Sequence, residues 1–202
     1  MPPLAQPGLF DAHEALPAGL EYRADFLSLE EEADLLARFS SLPFKAALFQ
    51  QYVARRRVVR YGETEGSGNY GTAANDANPR RPFPPFLESI REKVAAWQRL
   101  RKDALCHALI TEYRPGAPIG WHRDAPHFEQ VVGISLAGPG RMRFRPYRSQ
   151  SALRTAFTLE LAPRSAYALT GDIRWRWEHH IPPLKELRYS ITFRTRRLDE
   201  SA

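Results

Sequence analysis

From Leu105 to the C-terminus, apolar side chains recur at every second position in short runs, and each run ends in turn residues. Side chains on a strand point to alternate faces, so a period of two marks sheets buried on one side. The spacing predicts strands near 106–113, 119–124, 130–137, 140–146, 155–161, 165–170, 173–179 and 187–195. Pro115-Gly116, Gly138-Pro139-Gly140, Pro163-Arg164 and Gly171-Asp172 mark turns between them. Roughly eight short strands with this punctuation mean a β-sandwich or barrel, most simply a jelly roll.

The N-terminal half reads differently. Residues 1–20 form a proline-rich lead-in without the basic start of a secretion signal. Ser28-Leu29-Glu30-Glu31 has the form of a capping box and predicts a helix to about Ser40, with Leu29, Leu36 and Phe39 on its apolar stripe. The stretch YVARRRVVRY, 52–61, reads as a strand. Residues 62–85 are rich in Gly, Asn and Pro and show no hydrophobic period, which predicts a long functional loop or lid. A second helix begins at Pro84-Pro85, with Phe86, Ile90, Val94 and Trp97 on one face. The 202 residues then form one domain: lead-in 1–20, extension and lid 21–104, and a jelly-roll core 105–197. The fold class is mainly β (α+β).

Composition narrows the setting. Cys106 is the single cysteine, which excludes a disulfide framework and a Cys-rich zinc module and fits a reducing, cytoplasmic home. No run approaches the roughly 20 apolar residues of a membrane span. Lys plus Arg number 29 against 23 acidic residues, and lysine fills only four of the basic positions. Arginine grips phosphates and carboxylates in a bidentate fork, so nucleic acid is a candidate partner. A GC-rich coding sequence produces the same bias.

Three short stretches carry chemistry. In His122-Arg123-Asp124, residues i and i+2 of a strand project together, placing an imidazole beside a carboxylate. A second histidine would complete the two-His-one-carboxylate set that holds non-haem Fe(II) with open positions. His13, His107, His127, His179 and His180 are the candidates. In RWRWEHHIPP, Trp175, Trp177 and His179 share the face expected to be interior, so His179 is the preferred ligand and His180 the alternative. In LRYSITFRT, Arg188, Ser190, Thr192 and Arg194 share one face, and two arginines on a small polar face can surround a dicarboxylate; a solvated outer face reads the same way. Leu109, Thr111 and Tyr113 share a face on an earlier strand, where the tyrosine hydroxyl can reach the same anion. The alternation of Arg141, Arg143 and Arg145 with Met142 and Phe144 predicts an edge strand defended by charge.

These pieces, in this order, resemble the AlkB-like Fe(II)- and 2-oxoglutarate-dependent dioxygenases. The matching segments are Leu109 to Gly116, His122-Arg123-Asp124, Thr170-Gly171-Asp172 leading to His179-His180-Ile181-Pro182-Pro183, and Arg188 to Arg194. The resemblance covers 105–197 and extends more loosely to 19–28. It implies that His122, Asp124 and His179 bind Fe(II), and that Arg188, helped by Tyr113, takes the distal carboxylate of 2-oxoglutarate. Thr111, Ser190 and Arg194 would line the same pocket, with O2 as co-substrate. It further implies oxidative dealkylation of N-alkylated bases in DNA or RNA by a monomer that uses no membrane. Tyr70 in the lid would stack on an extruded base, and Arg57 and Arg60 would hold the backbone. Base-repair members carry an acidic residue two positions after the metal aspartate; here it is Pro126, which supports another target, tRNA or a protein side chain. A binding module without catalysis, holding DNA or RNA, is the other alternative.

Overall fold

The computed structural model describes residues 17–49, 52–63, 81–148 and 156–197. In chain order its elements are β1 (Leu20–Arg23), α1 (Leu29–Phe39), β2 (Lys45–Phe49), β3 (Tyr52–Gly62), α2 (Pro85–Gln98), β4 (Leu105–Tyr113), β5 (Ile119–His122), β6 (Phe128–Ala137), β7 (Gly140–Pro146), β8 (Phe157–Leu161), β9 (Ala166–Leu169), α3 (Gly171–Trp175), β10 (Trp177–Ile181) and β11 (Arg188–Arg196). They form two antiparallel sheets of the jelly-roll type. The larger runs β1-β9-β6-β11-β4-β3-β2 and the smaller β5-β10-β7-β8.

The capping box starts α1: the Ser28 backbone N–H donates to Glu31 Oε2 at 2.7 Å, and the Glu31 N–H donates to Ser28 Oγ at 3.1 Å. Leu35 and Phe39 carry the buried face, whereas Leu29, predicted to lie on it, is 67% exposed in the first turn. In α2, Leu87, Ile90, Val94 and Ala95 are buried, flanked by the half-buried Phe86 and Trp97. Both helices cover one face of the large sheet, through contacts that include Val59, Tyr61, Ile110, Ile191 and Phe193. The opposite face of that sheet meets the small sheet through Tyr113, Val131, Met142, Phe144, Tyr167 and Ile181. The polar face of β11 therefore points into the space between two sheets, not into solvent.

Three expectations change. The predicted strand 173–179 is two elements, because Gly171 (φ 49°) turns the chain into the short helix α3 before β10 begins at Trp177. Trp175 thus lies on α3 and does not share the His179 face. Its ring instead lies under Arg174 and Arg197, and its Nε1 donates to Glu129 at 3.1 Å. Strand β7 is not an edge: it pairs with β10 on one side and β8 on the other, and Arg141 meets Glu160 across the latter. The short strands β1 and β2, which extend the large sheet at its two ends, have no counterpart in the alternation. Among the described residues, no helix is long and apolar enough to cross a membrane.

Candidate active site

Strand β5 delivers His122 at its end, Asp124 follows two residues later off the strand, and β10 brings His179 directly opposite His122. One ligand atom from each of the three lies within 4.8 Å of the others, and the two imidazole centroids are 4.4 Å apart. His122 Nδ1 sits 2.8 Å from the Gly120 carbonyl. A carbonyl can only accept, so the proton is on Nδ1 and the Nε2 lone pair is left for a metal. Parity resolves the histidine pair: His179 is buried between the sheets, whereas His180 faces outward and packs at a tilt against Trp121, ring centroids 4.1 Å apart.

Asp124 is only 9% exposed. Burial alone would push its carboxyl up. The charges of Arg194 and Arg174 outweigh burial and hold it well below the usual carboxylate range. Arg194 Nε and Nη2 both donate to Asp124 Oδ1, at 3.1 and 2.7 Å, while Oδ2 lies 3.6 Å from His179 Nε2. One oxygen is thus tied to the guanidinium and the other turned toward the histidines. Burial, then His122, lower His179 to about 3, and burial also lowers His122, so both imidazoles are neutral donors at pH 7. Nitrogen, nitrogen and one carboxylate oxygen form the donor set of the facial triad that suits Fe(II).

The other end of the cavity is built by β4 and β11. Their register pairs Arg188 with Tyr113 and Ser190 with Thr111, so the four side chains line one surface. Arg188 is 1% exposed; its Nε donates to Ser135 Oγ at 3.0 Å, its guanidinium stands 5.2 Å from the Tyr113 ring centre, and its Nη1 has no partner. A buried guanidinium with a bare N–H calls for an anion, which fits a carboxylate end of 2-oxoglutarate. Gly140 makes room for it: a Cβ there would lie 3.0 Å from Arg188 Nε.

The cavity between the sheets, about 540 Å³, holds His122, Asp124, His179, Thr111, Tyr113, Arg188, Ser190 and Arg194 together. Of the residues expected to contact substrate, Arg60 lines it. Arg57 does not: it lies on the helix-covered face of β3 and forks onto Glu112 at 2.9 and 2.6 Å. The cavity-facing set is Ala54, Arg56, Val58 and Arg60. Tyr70 and most of the proposed lid lie outside the described residues.

Sequence reasoning missed the roles of several participants, His107 having been named only as a candidate metal ligand. Tyr167 on β9 is buried in the lining, and Gly133 opposite it admits its ring. His107, fully buried, receives Arg194 Nη1 on its Nδ1 at 3.2 Å; burial, then Arg194 and Arg60, keep it neutral. Arg174 Nη2 donates to the Ala125 and Phe128 carbonyls, each at 2.8 Å, and pins the turn that follows Asp124. The alternation of 165–170 carried a signal for Tyr167; nothing local distinguished His107 or Arg174.

A jelly roll with a His–Asp–His cluster facing a buried, anion-seeking arginine defines a class of oxygenase. The family model of the 2OG-Fe(II) oxygenase superfamily matches residues 19–198, and the chain belongs to that superfamily, among its AlkB-like members. These enzymes use Fe(II), 2-oxoglutarate and O2. The chain is 30% identical over 195 residues to the Arabidopsis thaliana "Alkylated DNA repair protein ALKBH8 homolog", covering 86% of this chain and 53% of that protein. It is 28% identical over 181 residues to the mouse "tRNA (carboxymethyluridine(34)-5-O)-methyltransferase ALKBH8", covering 85% of this chain and 25% of that protein. The chain therefore spans about half the length of the first relative and a quarter of the second. The solved structure of OsALKBH1 superposes with a TM-score of 0.62 at 16% identity, covering 88% of this chain and 98% of that one, a likeness of fold.

Proposed function

We propose that this oxygenase removes an N-alkyl group from a base in DNA or RNA, with Fe(II) held by His122, Asp124 and His179 and 2-oxoglutarate anchored by Arg188. Bound iron supplies the oxidative decarboxylation of 2-oxoglutarate by O2, giving succinate and CO2 and hydroxylating the alkyl carbon. The N–CH2OH product then breaks its carbon–nitrogen bond, releasing formaldehyde and returning the proton to the base. The chain's own residues do the positioning. Gly120 fixes the tautomer of His122, and Arg194 keeps Asp124 ionised and oriented. Tyr113, Thr111 and Ser190 border the 2-oxoglutarate end, and the apolar walls Val131, Met142 and Ile181 exclude water.

The observation that carries the reading is one cavity with the triad, the open Arg188 Nη1 and a mouth lined by further arginines. The names of both relatives above concern nucleic acids, which supports the substrate class. A second reading, oxidation of a modified base in tRNA, is favoured by Pro126 and by the name of the mouse relative. Succinate release with Fe(II) and ascorbate tests both. A single-stranded oligonucleotide with an N-methylated base should stimulate turnover over its unmodified twin. Stimulation by tRNA alone would move the substrate to the second reading, and stimulation by neither would refute both.

A further inference from the structure

Two of the three triad residues are placed by the sheet and the third is not. His122 and His179 are register partners of β5 and β10, in a short pairing whose register is irregular beyond them. Strand β5 ends at His122 and β6 begins at Phe128, so Asp124 sits on backbone that belongs to no strand. A ligand in such a position needs other bonds to keep its carboxylate at coordination distance from two imidazoles.

Two arginines supply them, from opposite directions. Arg174, on α3, donates from Nη2 to the Ala125 and Phe128 carbonyls, each at 2.8 Å. It thereby holds both ends of the turn that starts directly after Asp124, a turn closed by the Phe128 N–H on the Ala125 carbonyl at 3.1 Å. Arg123, the residue between His122 and Asp124, donates from Nη1 to the Trp175 carbonyl at 3.1 Å. Its guanidinium lies 3.7 Å from the Tyr147 ring centre, which fixes its path. Trp175 is the last residue of α3, and β10 begins at Trp177 and carries His179. The segment bearing Asp124 and the segment leading to His179 are therefore tied to each other in both directions.

Arg174 is also placed at a cost. It is 2% exposed, forms no ion pair among the described residues, and its Nε has no partner. A buried guanidinium without a carboxylate in contact is unfavourable unless another charge offsets it. Burial pushes Arg174 down, and Asp124, ahead of Glu129, works against that effect across space. The same field helps to keep Asp124 ionised.

We infer that Arg174 and Arg123 are positioning residues for the metal centre, cross-tying residues 122–128 to α3 so that Asp124 stays within ligand distance of His122 and His179. The inference rests on the metal site of the reading above.

The test is Mn(II) titration of the folded protein, with free Mn(II) read from its electron paramagnetic resonance signal and no turnover required. Each protein is titrated well below its own melting temperature, so that lost stability alone leaves the dissociation constant unchanged. Arg174→Met keeps a stem over the Trp175 ring and loses the charge and both hydrogen bonds. It should weaken Mn(II) binding by at least about tenfold, the low end for a group that orients a ligand. Arg123→Met should weaken it in the same direction, by less. Arg174→Lys restores the charge and offers donors to both carbonyls, and should return the affinity to within about threefold of the parent. Parental affinity in Arg174→Met would overturn the inference while the metal site stands. Arg174→Lys as weak as Arg174→Met would assign the loss to packing around α3 and overturn it too. If Arg174→Met does not fold, Arg123→Met decides, and parental affinity there overturns the inference. Asp124→Ala is titrated alongside. A parent that binds no Mn(II), or an Asp124→Ala protein that binds it as tightly as the parent, would remove the metal site and the inference with it.

Discussion

Gly133 sits mid-strand in β6, where a glycine gives up packing and chain entropy, and the structure supplies the reason. Its register partner on β9 is Tyr167, whose ring lies across it. A Cβ at 133 would fall 2.2 Å from Tyr167 Cζ and 2.4 Å from both Cε1 and Oη, against 3.4–4 Å for ordinary contact. Gly133→Ala therefore forces the ring over or parts two hydrogen-bonded strands. Overpacking of this kind costs about 1–3 kcal/mol, and an overlap above an ångström argues for the upper half of that range. For a domain of this size the melting temperature should fall on the order of 4–12 °C. The displaced ring shares the cavity with Arg188, so the KM for 2-oxoglutarate should rise as well, roughly tenfold for about 1.4 kcal/mol of lost binding. Thermal unfolding and 2-oxoglutarate titration measure both. Gly120→Ala is the control, since nothing lies within 4 Å of its added Cβ, and it should stay within about 0.5 kcal/mol of the parent. In a Tyr167→Ala background the cost of Gly133→Ala should vanish, a coupling above roughly 1 kcal/mol. A Gly133→Ala protein with parental melting temperature and KM, or additive behaviour in the double variant, would refute the packing argument.

Arg188→Met should raise the KM for 2-oxoglutarate by about a hundredfold or more, since a buried charge pair lost on one side costs about 2–5 kcal/mol; binding of Mn(II) as an iron surrogate should change little, and equal loss of both would contradict the division of the cavity into two ends. Burial would raise the Glu112 carboxyl, but hydrogen bonds from Arg57 and Arg114 outweigh it and hold it below its ordinary value of 4.5. Its contribution is therefore present above that pH and lost as pH falls through the lowered folded value. The stability gap between the parent and Glu112→Gln, measured in urea, should be about 1–3 kcal/mol at pH 7 and should close toward pH 3; a gap that widens on acidification would reverse the sign. Burial, then the neighbouring Glu63, push the Cys106 thiol up to about 11. Iodoacetamide should modify the folded protein slowly at pH 8 and about tenfold faster with each pH unit through pH 10. A plateau near pH 9 would show an ordinary thiol.

Face assignments that depend only on alternation were legible in the sequence. Arg188, Ser190, Thr192 and Arg194 share the cavity face because β11 is one uninterrupted strand, and His179 points inward while its neighbour His180 points out for the same reason. The capping box and the turn dipeptides are equally local, so α1 and most strand ends lie near their expected places. Where both neighbours in a strand are apolar, parity gives no answer: Val58 and Val59 are both buried, one toward the cavity and one toward the helices. Alternation alone therefore does not tell whether Arg56 or Arg57 faces the cavity. Only the covering of each sheet face, a product of non-local pairing, decided between them.

The same division runs through the whole site. The sequence by itself determined the alternation that builds two sheets, the spacing of His122 and Asp124, and the arginine pair on β11, because each is a property of a few consecutive residues. The tertiary structure decided that 171–175 turns as a helix, that Tyr167 fills the space Gly133 leaves, and that His107 and Arg174 stand behind Arg194 and the Asp124 turn. Those roles follow from residues more than 30 positions apart meeting across strand pairs, and no local period encodes which distant strand becomes a neighbour.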